Sequence, residues 1–201
     1  MLHQTDRLLR LIDQLCLITD VSLKLSTGTS SSFYFDCKKA TLNGECLDLI
    51  ADAFLAEIEA LPVQPTAIGG LTMGADFITA AVVLKAYQQN RPTTVGAIAR
   101  KEPKQHGMRM PIENELPPGT RIVVVDDVIT TGSSTRQAAE KFQAAGYEIV
   151  GIIALIDREA GGAEHLAAQF GCPVRSIFRK RDFPRLAIGE SYGSPEQRAA
   201  A

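Results

Sequence analysis

Two adjacent carboxylates, Asp126 and Asp127, run straight into Val128, Ile129, Thr130, Thr131, Gly132, Ser133 and Ser134. Ahead of them lies Ile122-Val-Val-Val125, an apolar run fit for a strand buried on both faces. Behind them, residues 136–145 are rich in Ala, Gln, Glu and Lys and read as a helix. A buried strand feeding a turn of small residues and a helix start is one way to hold phosphate. Backbone N–H groups at the helix N-terminus point at the anion, and the helix dipole favours negative charge there. Two aspartates would repel a bare phosphate. They make sense if the ligand also carries hydroxyls, or a magnesium ion, beside the phosphate, as a ribose 5-phosphate would. A plain strand end of a doubly wound fold explains one acid and one glycine. It does not explain two acids together with Thr130, Thr131, Ser133 and Ser134.

Two other segments combine the right residue types. Gly69-Gly-Leu-Thr-Met-Gly-Ala75 has glycines that let backbone approach a ligand and N–H groups that could hold phosphate oxygens, with Thr72 and Met73 at its centre. It is neither G-x-G-x-x-G nor a Walker loop. Arg100-Lys-Glu-Pro-Lys-Gln-His-Gly107 brings together Arg100, Lys101, Lys104 and His106, and the flanking glycine and prolines deny the segment a helix or strand. The bland reading is a solvated loop. The functional reading is a lid of cations that closes over a leaving group as it gains negative charge.

These segments need a scaffold that brings them to one edge. Leu8, Leu9, Leu11, Ile12 and Leu15 recur at helical spacing within 4–18, so a helix opens the chain. Residues 21–25 and 33–36 alternate like short strands around a Ser/Thr/Gly turn. A second helix covers 45–61, before Pro62. Beyond it, strands at 67–70, 94–99, 121–125, 148–156 and 173–178 alternate with helices near 75–89, 133–145 and 162–170. That alternation predicts a parallel sheet covered on both faces, with ligands at the carboxyl ends of its strands. Each candidate segment follows a strand.

Bulk properties narrow the function. The chain has 201 residues, 45% hydrophobic and 22% charged, which suits one domain. A net charge of −2 argues against a general nucleic-acid binder. No apolar run approaches the ~20 residues of a membrane helix, and no signal pattern opens the chain. Cys16, Cys37, Cys46 and Cys172 are scattered without a C-x-x-C pair, as reduced thiols of a cytoplasmic protein would be. His3 and His165 receive no role, and Arg179-Lys-Arg181 reads as a surface cluster.

The stretch 121–134 resembles the phosphoribosyl-pyrophosphate (PRPP) signature of type I phosphoribosyltransferases. The Arg100–Gly107 string resembles the catalytic loop of orotate phosphoribosyltransferases in particular. So do Gly28-Thr-Ser-Ser-Ser-Phe-Tyr-Phe-Asp36, the glycine turn at 69–75 and Ile156-Asp-Arg-Glu-Ala-Gly-Gly162. The likeness covers nearly the whole chain in order and spacing. It implies an α/β type I phosphoribosyltransferase fold: a five-stranded parallel sheet flanked by helices, with a small N-terminal hood of helix and short strands. Within a single domain over 1–201, the hood and base-pocket segment is expected at 1–43, the α/β core at 62–180 and a mobile catalytic loop at 100–119.

The resemblance also implies an activity and a partition of roles. The ribose 5-phosphate of PRPP passes to orotate, giving orotidine 5′-monophosphate and pyrophosphate for pyrimidine synthesis, with Mg2+ and no covalent enzyme intermediate. Catalytic roles fall to Lys101, Lys104, His106 and Asp127. PRPP would be held by Arg100, Lys101, Lys104, His106, Asp126, Asp127, Val128, Ile129, Thr130, Thr131, Gly132, Ser133 and Ser134, with Thr72 and Met73. Orotate would meet Thr130, Arg158, Tyr34 and Phe35, the arginine offering a planar fork to its carboxylate. Tyr34 and Phe35 read almost as well as core aromatics. Magnesium would ride mainly on PRPP and water near Asp126 and Asp127, with no direct protein ligand. The expected assembly is a homodimer with shared active sites, without nucleic-acid or membrane partners. The chain departs from some members by having Ser26 and Met73 where they carry lysine, Lys24 being the nearest lysine to Ser26. Three alternatives remain at this point: transfer to another base, a non-catalytic PRPP-sensing regulator, and a nucleotide-binding α/β protein unrelated to PRPP.

Overall fold

The chain opens with α1 (Leu2–Leu15), whose Leu8 and Ile12, one turn apart, are sealed from solvent. The structure is a computed structural model that describes residues 2–24, 30–91, 95–102 and 111–186. After α1, β1 (Leu17–Lys24) and β2 (Ser30–Phe35) pair antiparallel, with Leu17 opposite Phe35. This hairpin is the one expected, though both strands start earlier than the alternation indicated. A single turn, α2 (Lys38–Thr41), follows and was not anticipated. In α3 (Gly44–Glu59), Cys46, Ile50, Phe54 and Ile58 recur on one buried stripe. Its start is capped by Asn43, whose side chain accepts from the Cys46 amide at 3.1 Å.

The remaining elements alternate: β3 (Ala67–Leu71), α4 (Asp76–Gln88), β4 (Val95–Ala99), β5 (Ile112–Glu113), β6 (Arg121–Ile129), α5 (Ser133–Ala144), β7 (Glu148–Asp157), α6 (Gly162–Phe170) and β8 (Val174–Arg179). Their sheet has the order β5-β4-β3-β6-β7-β8. The five strands expected from sequence are mutually parallel, and β5 adds a short antiparallel edge to β4. That edge forms inside a stretch expected to be irregular as far as 119, because Ile112 buries its side chain opposite Ala99.

Strand β6 also outruns its apolar stretch. Asp126 pairs with Ala154, Val128 with Ile156 and Ile129 with Asp157. The carboxylates do not end the ladder, because backbone pairing continues while the side chains leave the sheet on alternate faces. Val123 and Val125 face the cluster under α1, α3 and α4, whereas Ile122 and Val124 face the cluster under α5 and α6. Strand order reverses between β3 and β6, so the loops leaving their carboxyl ends flank the crevice where such sheets take ligands. Among the described residues no helix is long and apolar enough to cross a membrane.

Candidate active site

The acid pair sits on β6 beside that crevice. Asp126 is buried, and both its oxygens are engaged: Oδ2 accepts from the Thr135 hydroxyl at 2.6 Å, and Oδ1 from the Asp127 amide at 3.0 Å. Asp127 is half-buried, and its Oδ1 accepts from the Val128 amide at 2.9 Å. Burial pushes the Asp126 carboxyl up to about 7; the neighbouring Asp127 adds to the rise, and the Thr135 hydrogen bond opposes it. This pair therefore gains from a ligand that brings hydroxyl donors.

The glycine turn after β3 lies directly against the pair. A Cβ on Gly74 would stand 2.7 Å from Asp127 Oδ1 and 3.0 Å from Asp126 Oδ1, so only glycine lets the turn approach this closely. Thr72 is fixed on both sides: its amide donates to Ala99 O at 2.9 Å and its hydroxyl to Asp76 Oδ2 at 2.9 Å. The Thr72–Met73 peptide is cis. Turn and acids together wall a cavity of about 290 Å³, whose lining includes Lys38, Met73, Lys101, Asp127 and Ser134.

At the far side of the pair, Gly132 takes φ +77° and starts α5 without a side-chain cap. The first-turn N–H groups of an α-helix have no partner within the helix, so an uncapped start next to exposed Thr131, Ser133 and Ser134 can take an anion. Gly162 supports this loop from behind: a Cβ there would fall 2.4 Å from Thr130 O and 2.7 Å from the Gly132 nitrogen. The loop's conformation thus depends on α6 as well as on its own residues.

Arg158 leaves the end of β7, its amide bonded to Ile129 O at 2.9 Å. The residue is 9% exposed, and its guanidinium carbon stands 4.3 Å over the Phe33 ring. Burial pulls the guanidinium below its ordinary range, and Tyr34 opposes that fall. Alternation along β2 puts Phe33 and Phe35 on one face, their rings edge to face at 5.8 Å. Phe35 is buried against Phe183, with ring centroids 4.8 Å apart, whereas Phe33 and Tyr34 are half-buried. Arg100 pairs with Glu113 at 2.8 Å, and the Lys141 ammonium binds the carbonyls of both Arg100 and Lys101.

Residues 44–187 match the phosphoribosyl transferase domain family. The orotate phosphoribosyltransferase of Rhodopirellula baltica is 41% identical over 163 residues, 79% of this chain and 83% of that one. The Aquifex aeolicus enzyme is 38% identical over 178 residues, 88% of this chain and 95% of that one. The chain belongs to the orotate phosphoribosyltransferase family. Solved members share its architecture. A Mycobacterium tuberculosis orotate phosphoribosyltransferase superposes with a TM-score of 0.75 at 32% identity, covering 90% of this chain and 99% of that one. The same bacterium's enzyme in complex with PRPP gives 0.70 at 30% identity, over 90% and 98%.

In this family member the structure brings Thr72, Met73, Lys101, Asp126, Asp127 and Ser134 around one cavity. Arg158, over the Phe33 ring, forms a second group, while Tyr34, next along β2, leaves the strand on the opposite face. Ile129 is buried, so it can meet a ligand only through its backbone. Lys104, His106 and the Gly28 and Ser26 positions lie outside the described residues. Two residues of the site escaped the sequence reading. Lys38 lines the cavity and ion-pairs with Asp36 at 2.9 Å; its only signal was a basic pair closing a strand, in Asp36-Cys-Lys-Lys39. Thr135, buried under Asp126, looked like an ordinary helix residue.

Proposed function

We propose that this chain transfers the 5-phosphoribosyl group of PRPP to orotate, forming orotidine 5′-monophosphate and pyrophosphate. The observation that carries the reading is the contact of the Gly74 turn with the Asp126–Asp127 pair at the sheet's switch point, one cavity reaching from that turn to Ser134. A ring nitrogen of orotate bonds to the anomeric carbon as the bond to the pyrophosphate oxygen breaks, and the proton that nitrogen gives up leaves to water or the departing pyrophosphate. Positive charge grows on the ribose and negative charge on the leaving group. Asp126 and Asp127 accept from the ribose hydroxyls and favour the cationic ring. Val128, Ile129, Thr130, Thr131, Gly132, Ser133 and Ser134 wrap the 5′-phosphate at the start of α5. Thr72 and Met73 meet the pyrophosphate through backbone. Arg100, Lys101, Lys104 and His106 stabilise its departing charge, within a catalytic loop at 100–119. Arg158 pairs with the orotate carboxylate, with Thr130, Tyr34 and Phe35 shaping the base pocket under a hood formed by 1–43.

Magnesium fits this site as a partner of the substrate. Both Asp126 oxygens already accept hydrogen bonds, so the ion would be held mainly by PRPP and water near the two acids, where it would neutralise diphosphate charge. The reading includes a cytoplasmic homodimer in which loop cations act in part on the partner's substrate. Supporting a dimer, Leu84, Tyr87 and Val95 expose an apolar surface beside β4, the strand that feeds the loop.

The test follows orotate absorbance with PRPP and magnesium, beside adenine, hypoxanthine and uracil. Loss of orotate alone with release of pyrophosphate is the expected result. Turnover of another base, or of none while PRPP binds, would overturn it.

A further inference from the structure

We propose that Lys38 is the fixed cation of the diphosphate subsite, binding the pyrophosphate group of PRPP in the ground state. The inference rests on reading the 290 Å³ cavity as the PRPP site. That cavity has a charge problem. Asp126 and Asp127 line it, and Asp36 lies beside it through Lys38, so a diphosphate entering it needs opposing charge. Among the described residues lining the cavity, the cations are Lys38 and Lys101. Met73, 58% exposed on the turn, contributes none.

The two lysines differ in how they are mounted. Lys101 is exposed and lies within the segment assigned to leaving-group chemistry. Lys38 begins α2, whose backbone is locked by Ala40 N to Cys37 O at 3.0 Å and Thr41 N to Cys37 O at 2.9 Å, with Cys37, Ala40 and Thr41 all buried. Its base is rigid and its head is held by Asp36 at 2.9 Å, yet the side chain is 53% exposed, so a ligand can reach it. The hydrogen bond to Asp36, with further pull from Tyr34 and Asp127, keeps the ammonium charged. A pre-placed cation lowers the cost of bringing a polyanion in; it is not reserved for the transition state, so it acts on KM more than on kcat. The competing role, plain neutralisation of Asp36, predicts no effect on diphosphate affinity.

The experiment uses the full chain with magnesium and measures calorimetric binding of PRPP and of pyrophosphate, then steady-state kinetics. Lys38→Met is expected to weaken both ligands and raise the PRPP KM roughly tenfold or more. The orotate KM, the melting temperature and kcat should stay within about threefold or a few degrees. Lys38→Arg should recover most of the loss, and so should Lys38→Met with Met73→Lys, which returns a cation to another wall of the cavity. Equal binding of both ligands by wild type and Lys38→Met overturns the proposal, as does an orotate KM that rises as much as that of PRPP. Failure of wild type itself to bind PRPP would instead overturn the functional reading and this proposal with it.

Discussion

Asp126 shows how function sets a residue against stability. Its folded-state carboxyl is raised toward about 7 from an ordinary value of 3.8 by burial and by Asp127. A raised acid contributes stability below its unfolded pKa and loses it as pH climbs to the folded value, here between about 4 and 7. Asp126→Asn should therefore melt higher than wild type in the absence of substrate, by on the order of 5 °C at pH 8 and by less at pH 5. PRPP affinity should fall in the same variant. Calorimetric melting across this pH range checks the sign; a gain larger at pH 5 would contradict it. Arg158 works differently, through a buried fork stacked on Phe33. Arg158→Ala should raise the orotate KM roughly tenfold to a hundredfold, with a much smaller change for PRPP. Equal rises would remove its assignment to the base.

At the scale of elements, the loop proposed to hold phosphate is shaped by the start of α6 as well as by its own residues. Gly162 starts α6 where an added Cβ would fall 2.4 Å from Thr130 O and 2.7 Å from the Gly132 nitrogen. Gly162→Ala should push the 130–132 backbone outward, destabilise the fold by about 1–3 kcal/mol and weaken PRPP binding, while leaving the Arg158 pocket intact. Thermal melting beside PRPP and orotate titrations would show this; unchanged PRPP affinity would mean that the loop is not held from behind. The same logic places the Gly74 turn against β6, where alanine would collide with both carboxylates.

For the whole molecule, the decisive question is whether two copies complete one site. Leu84 and Tyr87, 57% and 81% exposed on α4, belong to the apolar surface next to β4. Substituting both by Asp should give a monomer by light scattering and lower kcat by orders of magnitude, because the loop cations would lose the substrate they serve. A fully active monomer would refute shared sites. Mixed dimers test the same idea. Lys104→Ala and Asp127→Asn homodimers should each be nearly inactive, yet their hybrid should regain up to roughly half of wild-type activity in its one intact site.

The alternation of apolar runs and helices determined the parallel sheet, since strands buried on both faces must be uniformly apolar and the helices between them amphipathic. Local chemistry likewise marked Asp126, Asp127 and the small residues after them, because a phosphate site built from one turn is written contiguously. Tertiary structure decided the rest. Thr135 carries no local mark and Lys38 only that of a basic pair: one is a helix threonine and the other a surface lysine until folding sets them against the acid pair. Phe35 and Phe33 differ only in what packs on each, Phe183 or Arg158. The length of β6 depended on how far β7 stays apolar beside it, and β5 on whether Ile112 could reach Ala99. A sequence records which residues can do chemistry; which of them share a cavity is set by long-range packing, to which neighbours along the chain contribute little.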